Sequence, residues 1–244
     1  MLLLGVNIDH IATLRQARYR GSLDLPNAEP SIFAAAQICE KAGADSITVH
    51  LRADRRHIQD RDVTEIRKSI GLRLNLEMGN TPEIVEFALA TRPDDVCMVP
   101  ENREEITTEG GLDVAGLSAS LAPTIQRLQA VGTRVSLFID PEPKQVEASV
   151  KLGATMVELH TGAFANAFGA SREIELGRLI ESAELAHNAG LQVNAGHGIN
   201  YDNIYEILSI PNLTELNIGH SIISRAVFTG LEQAIRDLLA IMKR

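Results

Sequence analysis

A (β/α)8 barrel, an α/β TIM-barrel fold, is the architecture this sequence predicts, on three observations. Eight short apolar runs alternate with eight stretches of helical spacing across 244 residues. The runs are rich in Val, Ile and Leu, as strands buried on both faces must be, which implies a parallel sheet under a layer of helices. No glycine-rich phosphate turn follows the first run: Asn7-Ile8-Asp9-His10 stands where an open, doubly wound nucleotide fold would carry one. Eight strand–helix units in about 250 residues is the usual size of the closed barrel. No linker or composition break divides the chain, so one catalytic domain over residues 1–244 is expected.

The elements follow in order. The first strand is expected over 2–8, and a polar segment over 15–30, carrying Arg15, Arg18 and Arg20, reads as a mobile loop. Residues 31–43 have a helical stripe of Ile32, Phe33, Ala36 and Cys39, stopped at Gly43. The second strand covers 46–49 and runs into His50-Leu51-Arg52-Ala53-Asp54-Arg55-Arg56-His57. A helix over 62–70 precedes the third strand, 72–76, which ends in Glu77. Thr81-Pro82 has the form of an N-cap and first helical position. The fourth strand, 95–99, ends in Pro100-Glu101, and a longer loop with Thr107 and Gly110-Gly111 follows before a helix over 117–131. Strands over 134–139, 155–159, 191–194 and 213–218 alternate with helices over 142–152, 172–189, 201–208 and 231–243.

Composition narrows the function. Hydrophobic residues make up 45% and charged residues 23%, an ordinary globular balance. A net charge of −9 argues against nucleic acid or an anionic membrane as partner. The arginine cluster after the second strand is then a local cationic site on an acidic body, suited to small anions. Cys39 and Cys97 show no metal-ligand spacing and read as reduced, buried thiols of a cytoplasmic protein. The first residues lack the basic region of a secretory leader, and no apolar run approaches the ~20 residues of a membrane span.

Barrel enzymes carry their chemistry at the C-terminal ends of the strands. His10, His50, His57, His160, His197 and His220 all fall at or just past such an end, and only His187 falls on a helix. Asp9, Glu77, Glu101, Asp140 and Glu158 add carboxylates to the same rim. Imidazoles beside carboxylates suit proton transfer near neutral pH. Glu158 could equally sit inward and hold a histidine or an arginine. Ala195-Gly196-His197-Gly198 and Ile218-Gly219-His220-Ser221 follow the last two strands, the habitual phosphate site of the fold. With Arg52, Arg55 and Arg56 across the mouth, a second anionic group has a place. The lysines Lys41, Lys68, Lys144, Lys151 and Lys243 all fall on helices, which disfavours a Schiff-base lysine. No H-x-H or H-E-x-x-H spacing points to a metal.

Seven motifs then occur in one order. They are Asn7-Ile8-Asp9-His10-Ile11-Ala12-Thr13-Leu14-Arg15, His50-Leu51-Arg52 with Asp54-Arg55-Arg56-His57, Asn75-Leu76-Glu77-Met78, Thr107-Thr108-Glu109-Gly110-Gly111-Leu112-Asp113, Glu158-Leu159-His160-Thr161-Gly162, Asn194-Ala195-Gly196-His197-Gly198 and Asn217-Ile218-Gly219-His220. Over most of its length the chain resembles the pyridoxine 5′-phosphate synthase family. The resemblance implies a barrel enzyme without cofactor or metal, condensing 1-deoxy-D-xylulose 5-phosphate with 3-amino-2-oxopropyl phosphate. It implies His50 and Glu77 as proton acceptors, His197 as proton donor and Glu158 as a carboxylate stabilising the transition state. It implies Asp9, His10, Arg52, His57 and Thr107 as contacts to the sugar phosphate. Asn7, Arg18, Gly198, Gly219 and His220 would contact the amino ketone phosphate, with Arg15 or Arg20 as alternatives to Arg18. It also implies a homo-octamer. The loop over 101–112 is a candidate lid. A different phosphate-handling barrel enzyme, or a barrel that binds a phosphorylated ligand without turnover, are the other classes compatible with the pattern.

Overall fold

The computed structural model describes residues 1–25, 27–101 and 110–243. Eight parallel strands close into a barrel in sequence order: β1 (Leu3–Asn7), β2 (Ser46–His50), β3 (Arg73–Met78), β4 (Asp95–Met98), β5 (Arg134–Ile139), β6 (Met156–His160), β7 (Gln192–Gly196) and β8 (Leu213–Ile218), with β8 pairing back onto β1. The expected barrel is therefore the observed one. The fifth and eighth strands have the predicted ends; the others shift by one or two residues.

Alternation along each strand separates two environments. Leu4, Val6, Ile47, Val49, Leu74, Leu76, Val157 and Leu159 point outward into one apolar shell shared with the surrounding helices. Side chains between them point inward, and many are polar. Thr48 donates to Asn217 Oδ1 at 3.1 Å, and Asn217 donates to Glu158 Oε2 at 2.6 Å. At the strand starts Arg73 bridges Asp95 (2.8 Å) and Glu215 (2.7 Å), and Arg134 also pairs with Asp95 at 2.7 Å. This ionic plug closes the floor of the barrel and leaves the other end to the chemistry.

Helices predicted from apolar periodicity are present: α2 (Ile32–Ala42), α3 (Asp60–Ser69), α4 (Pro82–Thr91), α5 (Val114–Ala130), α6 (Pro143–Lys151), α8 (Ala170–Asn188), α9 (Ile204–Ile207) and α11 (Leu231–Met242). Local chemistry sets their ends. Ser31 accepts from the Ala34 amide at 3.1 Å, Gln59 and Asp62 form a capping box, and Pro82 and Pro143 open their helices.

Three helices were not predicted: α1 (Asp9–Tyr19), α7 (Gly162–Asn166) and α10 (His220–Thr229). The expected loop over 15–30 is thus helical up to Tyr19. The reason is chemical. The buried residues of α1 are Ala12, Arg15 and Gln16, so an ion pair replaces the apolar stripe that periodicity detects. In α10 only Ile222 is buried, while Val227 and Phe228 are exposed.

Candidate active site

Because every strand runs the same way, the residues at strand ends meet around one mouth. A cavity of about 630 Å³ opens there. It is lined by Asn7, Asp9 and His10 from β1 and α1, His50, Arg52, Arg56 and His57 from β2 and the loop after it, and Glu77 from β3. Glu158, His197, Gly198, Asn217, Gly219, His220 and Ser221 complete it from β6, β7 and β8. Twelve of the fourteen residues singled out for catalysis or substrate binding therefore share one cavity. Thr107 and most of the candidate lid lie outside the described residues.

Arg18 is not among the cavity residues: it is exposed on α1, its guanidinium 6.0 Å from the Tyr19 ring. Arg15 does not reach the cavity either. It lies buried in an ion pair with Asp62 at 2.7 Å. Arg55 turns away to Asp60 (2.8 Å) and Glu83 (2.6 Å), which leaves Arg52 and Arg56 at the mouth. The two ends expected to bind anions are closer together than the sequence suggested. The arginine loop follows β2 and the glycine turn follows β8, so only β1 separates them, rather than the width of the barrel.

Backbone geometry makes the second end. His197 and Gly198 both have positive φ, 78° and 74°. A Cβ on Gly198 would also lie 2.6 Å from the Ala165 Cβ, so only glycine fits this turn without strain. Thr161 donates to the His197 carbonyl at 2.5 Å, and Asn203 donates to the Gly198 carbonyl at 2.9 Å, holding the turn. Beside it α10 begins at His220, directly after Gly219, and Gly219, His220 and Ser221 at its start line the cavity.

The residues expected to transfer protons lie between these ends. Asp9 accepts from Asn7 Nδ2 at 3.0 Å and from the His50 amide at 2.9 Å. His50 Nδ1 stands 3.9 Å from Glu77 Oε2. Desolvation raises the Glu77 carboxyl well above its ordinary value, and the negative charges of Asp9 and Glu158 add to this. Desolvation likewise raises Glu158 to about 7, against the hydrogen bond from Asn217. Burial lowers His197 to about 4, with His160, His10 and His220 adding to the effect. His10 and His57 are also lowered, chiefly by burial. Carboxyls raised and imidazoles lowered by burial thus face one another, which brings their proton affinities closer together and lets protons pass between them at lower cost.

Glu158 lines the cavity and also reaches inward, but the partner it holds there is Asn217, which donates to it, rather than the histidine or arginine expected. A Cβ on Gly196 would come within 2.2 Å of its Oε1, so the bare glycine makes its seat. Its proton has a thermodynamic signature. Between 4.5 and about 7 the folded protein keeps a proton on Glu158 that the unfolded chain releases, so this group lowers stability as pH rises through that window. His197 acts oppositely between about 4 and 6.5, where only the unfolded chain protonates. Glu158→Gln should therefore gain about 2–3 kcal/mol more than the parent between pH 4.5 and 7 in urea unfolding. Parallel pH dependence in the two proteins would mean that Glu158 is ionised throughout.

Two imidazole–carboxylate pairs escaped assignment from the sequence. His50 Nε2 lies 3.0 Å from Glu101 Oε1, and His160 Nδ1 lies 2.9 Å from Asp140 Oδ1. His160 in turn meets His197 edge to face, with ring centroids 5.2 Å apart. All four residues were visible as rim residues, but pairing depends on register between strands, which spacing along one chain does not carry. Among the described residues, Asp9, His50 and Glu77 form one group whose donor atoms lie within 4.8 Å of one another, as a metal would require. The lysines stay on helices or at a helix end, away from the cavity.

A family model described as pyridoxal phosphate biosynthesis protein PdxJ matches residues 4–244. The chain is 62% identical over 238 residues to a pyridoxine 5′-phosphate synthase of Akkermansia muciniphila, covering 97% of each chain. It is 54% identical over 242 residues to a pyridoxine 5′-phosphate synthase of Opitutus terrae, covering 98% of each. Among solved structures, phosphoribosylanthranilate isomerase of Thermotoga maritima superposes with a TM-score of 0.61 at 11% identity, covering 100% of this chain and 99% of that one. The last likeness concerns the barrel alone. The strand-end residues, the shared cavity and a match over nearly the whole chain agree: this protein belongs to the pyridoxal phosphate biosynthesis protein PdxJ family.

Proposed function

We propose that the chain acts as a pyridoxine 5′-phosphate synthase of vitamin B6 biosynthesis, joining 1-deoxy-D-xylulose 5-phosphate to 3-amino-2-oxopropyl phosphate. The products are pyridoxine 5′-phosphate, inorganic phosphate and water. The observation that carries this reading is one cavity holding His50, Glu77 and His197 between two anion-binding ends. Arg52, His57 and His10 form the end that receives the sugar phosphate. Gly198, Gly219 and the start of α10 form the end that receives the amino ketone phosphate.

The substrate amine attacks the pentulose ketone, and water leaves to give an imine. His50 and Glu77 take and return the protons of this step and of the dehydration that follows. Expulsion of phosphate from the amino ketone portion, addition of water and an aldol-type closure give the ring. His197, neutral and half-buried, supplies a proton to a leaving oxygen after taking one from an earlier intermediate. Loss of a further water makes the ring aromatic. Glu158, uncharged below about pH 7, donates a hydrogen bond to a developing oxyanion. Each step moves a proton, so several groups poised near neutrality serve better than one strong acid or base.

A single-turnover incubation with both substrates, with and without a chelator, tests this reading. Pyridoxine 5′-phosphate should form at the same rate in both arms. Its absence would overturn the function, and loss only with chelator would move the chemistry to a metal at Asp9, His50 and Glu77.

A further inference from the structure

We infer that Glu101 is a positioning residue: it holds the His50 ring as the Nε2–H tautomer, so that the Nδ1 lone pair faces Glu77 and the cavity. The catalytic half of this inference rests on His50 being a proton acceptor, as proposed above. Glu101 stands just past the end of β4, next to His50 on β2 and Glu77 on β3. Its Oε1 lies 3.0 Å from His50 Nε2 and 3.1 Å from the Gly79 amide. Its Oε2 accepts from the Ala53 amide at 3.2 Å.

The geometry decides the tautomer. An ionised carboxylate can only accept, so the ring nitrogen facing it must carry the hydrogen. Burial works to raise the Glu101 carboxyl, but the His50 hydrogen bond, the charge attraction of His50 and the two backbone amides outweigh it and hold the group below its ordinary value. Glu101 is therefore an anion, and His50 Nε2 is a donor. The other nitrogen, Nδ1, points to Glu77 Oε2 at 3.9 Å. That is too long for a direct hydrogen bond, but it sets the two groups side by side on the cavity wall. The remaining groups around His50 fit this orientation. Asp9 takes its backbone amide at 2.9 Å, and the His57 ring lies 6.1 Å away. Neither competes for Nδ1.

A carboxylate that orients a base through its far nitrogen is a recurrent arrangement in proton-transfer sites. Here it also ties together the loops after β2 and β3, through Ala53 and Gly79. One side chain thus sets the direction of the imidazole and joins the loops that follow the two strands bearing His50 and Glu77.

The test combines 15N NMR of histidine-labelled protein with kinetics of Glu101→Gln and Glu101→Ala. The His50 signal is assigned by its loss in His50→Asn. Wild type should show His50 with Nε2 protonated and Nδ1 bare. E101Q keeps a carbonyl for Nε2–H but places an amide donor against Ala53, so it should keep the tautomer and lose about 10-fold in kcat. E101A should show a mixture of tautomers and lose about 10²-fold in kcat, with KM within about threefold. A wild-type His50 with hydrogen on Nδ1 would overturn the inference, whatever the variants do. That readout needs no folded E101A. The expected wild-type tautomer together with full turnover in folded E101A would overturn the catalytic half, because turnover would then not need the orientation that Glu101 sets, while leaving the geometry standing.

Discussion

Glu77→Gln should bind both phosphorylated substrates almost as the parent does and turn them over at least about 10²-fold more slowly. The substitution keeps shape and volume, so the cavity is preserved. It removes the one property that the surroundings have adjusted. Desolvation, then the charges of Asp9 and Glu158, raise the Glu77 carboxyl well above the ordinary range. A carboxyl so raised holds its proton more tightly than an ordinary one and can both give and take it, and an amide can do neither. Binding should survive because Glu77 belongs to neither proposed anion-binding end: Arg52 and His57 are the proposed one, the Gly198 and Gly219 turns the other, and all line the cavity. Separate measurement of kcat and KM for each substrate checks this. Near-normal turnover would remove Glu77 from the chemistry, and a loss confined to KM would make it a binding group.

Arg15→Ala should cost about 3–5 kcal/mol of unfolding free energy, far more than loss of an exposed arginine. Arg15 Nη1 and Nη2 meet Asp62 Oδ1 and Oδ2 at 2.8 and 2.7 Å, and both side chains are about 95% buried. Nη2 also donates to the His57 carbonyl at 3.3 Å. Truncation strands the buried Asp62 carboxylate with the Gln59 amide, at 2.8 Å, as its remaining described donor. The cost of that stranded charge exceeds the net worth of the pair. Arg15→Met with Asp62→Leu should therefore recover most of the loss. Urea unfolding of the single and double variants reads this directly. An Arg15→Ala cost below about 1 kcal/mol would mean that water reaches Asp62. Because the pair joins α1 to α3 and touches His57, the single variant should also weaken sugar phosphate binding.

Those two residues also show where sequence reading stops. Glu77 was legible: a carboxylate directly after an apolar run must sit at a strand end, and strand ends converge in a barrel. The same logic brought together His50, His197, Glu158 and the glycine turns. Arg15 was not legible as structure, because an arginine near a barrel mouth looks like an anion ligand until its buried partner is seen. Asp62, its partner, lies 47 positions away in sequence. The same separation hid Glu101 behind His50 and Asp140 behind His160, 51 and 20 positions apart. The first helix was missed for a related reason: it buries an ion pair and Gln16 instead of a stripe of aliphatic side chains. The closeness of the two anion-binding ends follows from β8 closing onto β1, a neighbourhood that only ring closure creates.

Simultaneous occupancy is the core of the account, because condensation needs both substrates in one mouth at once. Phosphorus NMR of Glu77→Gln, titrated with the sugar phosphate and then with the amino ketone phosphate, measures it without interference from turnover. Two distinct bound phosphate signals should appear together, the first undisturbed in intensity as the second grows. Displacement of the first ligand by the second would show a single anion site and contradict the account.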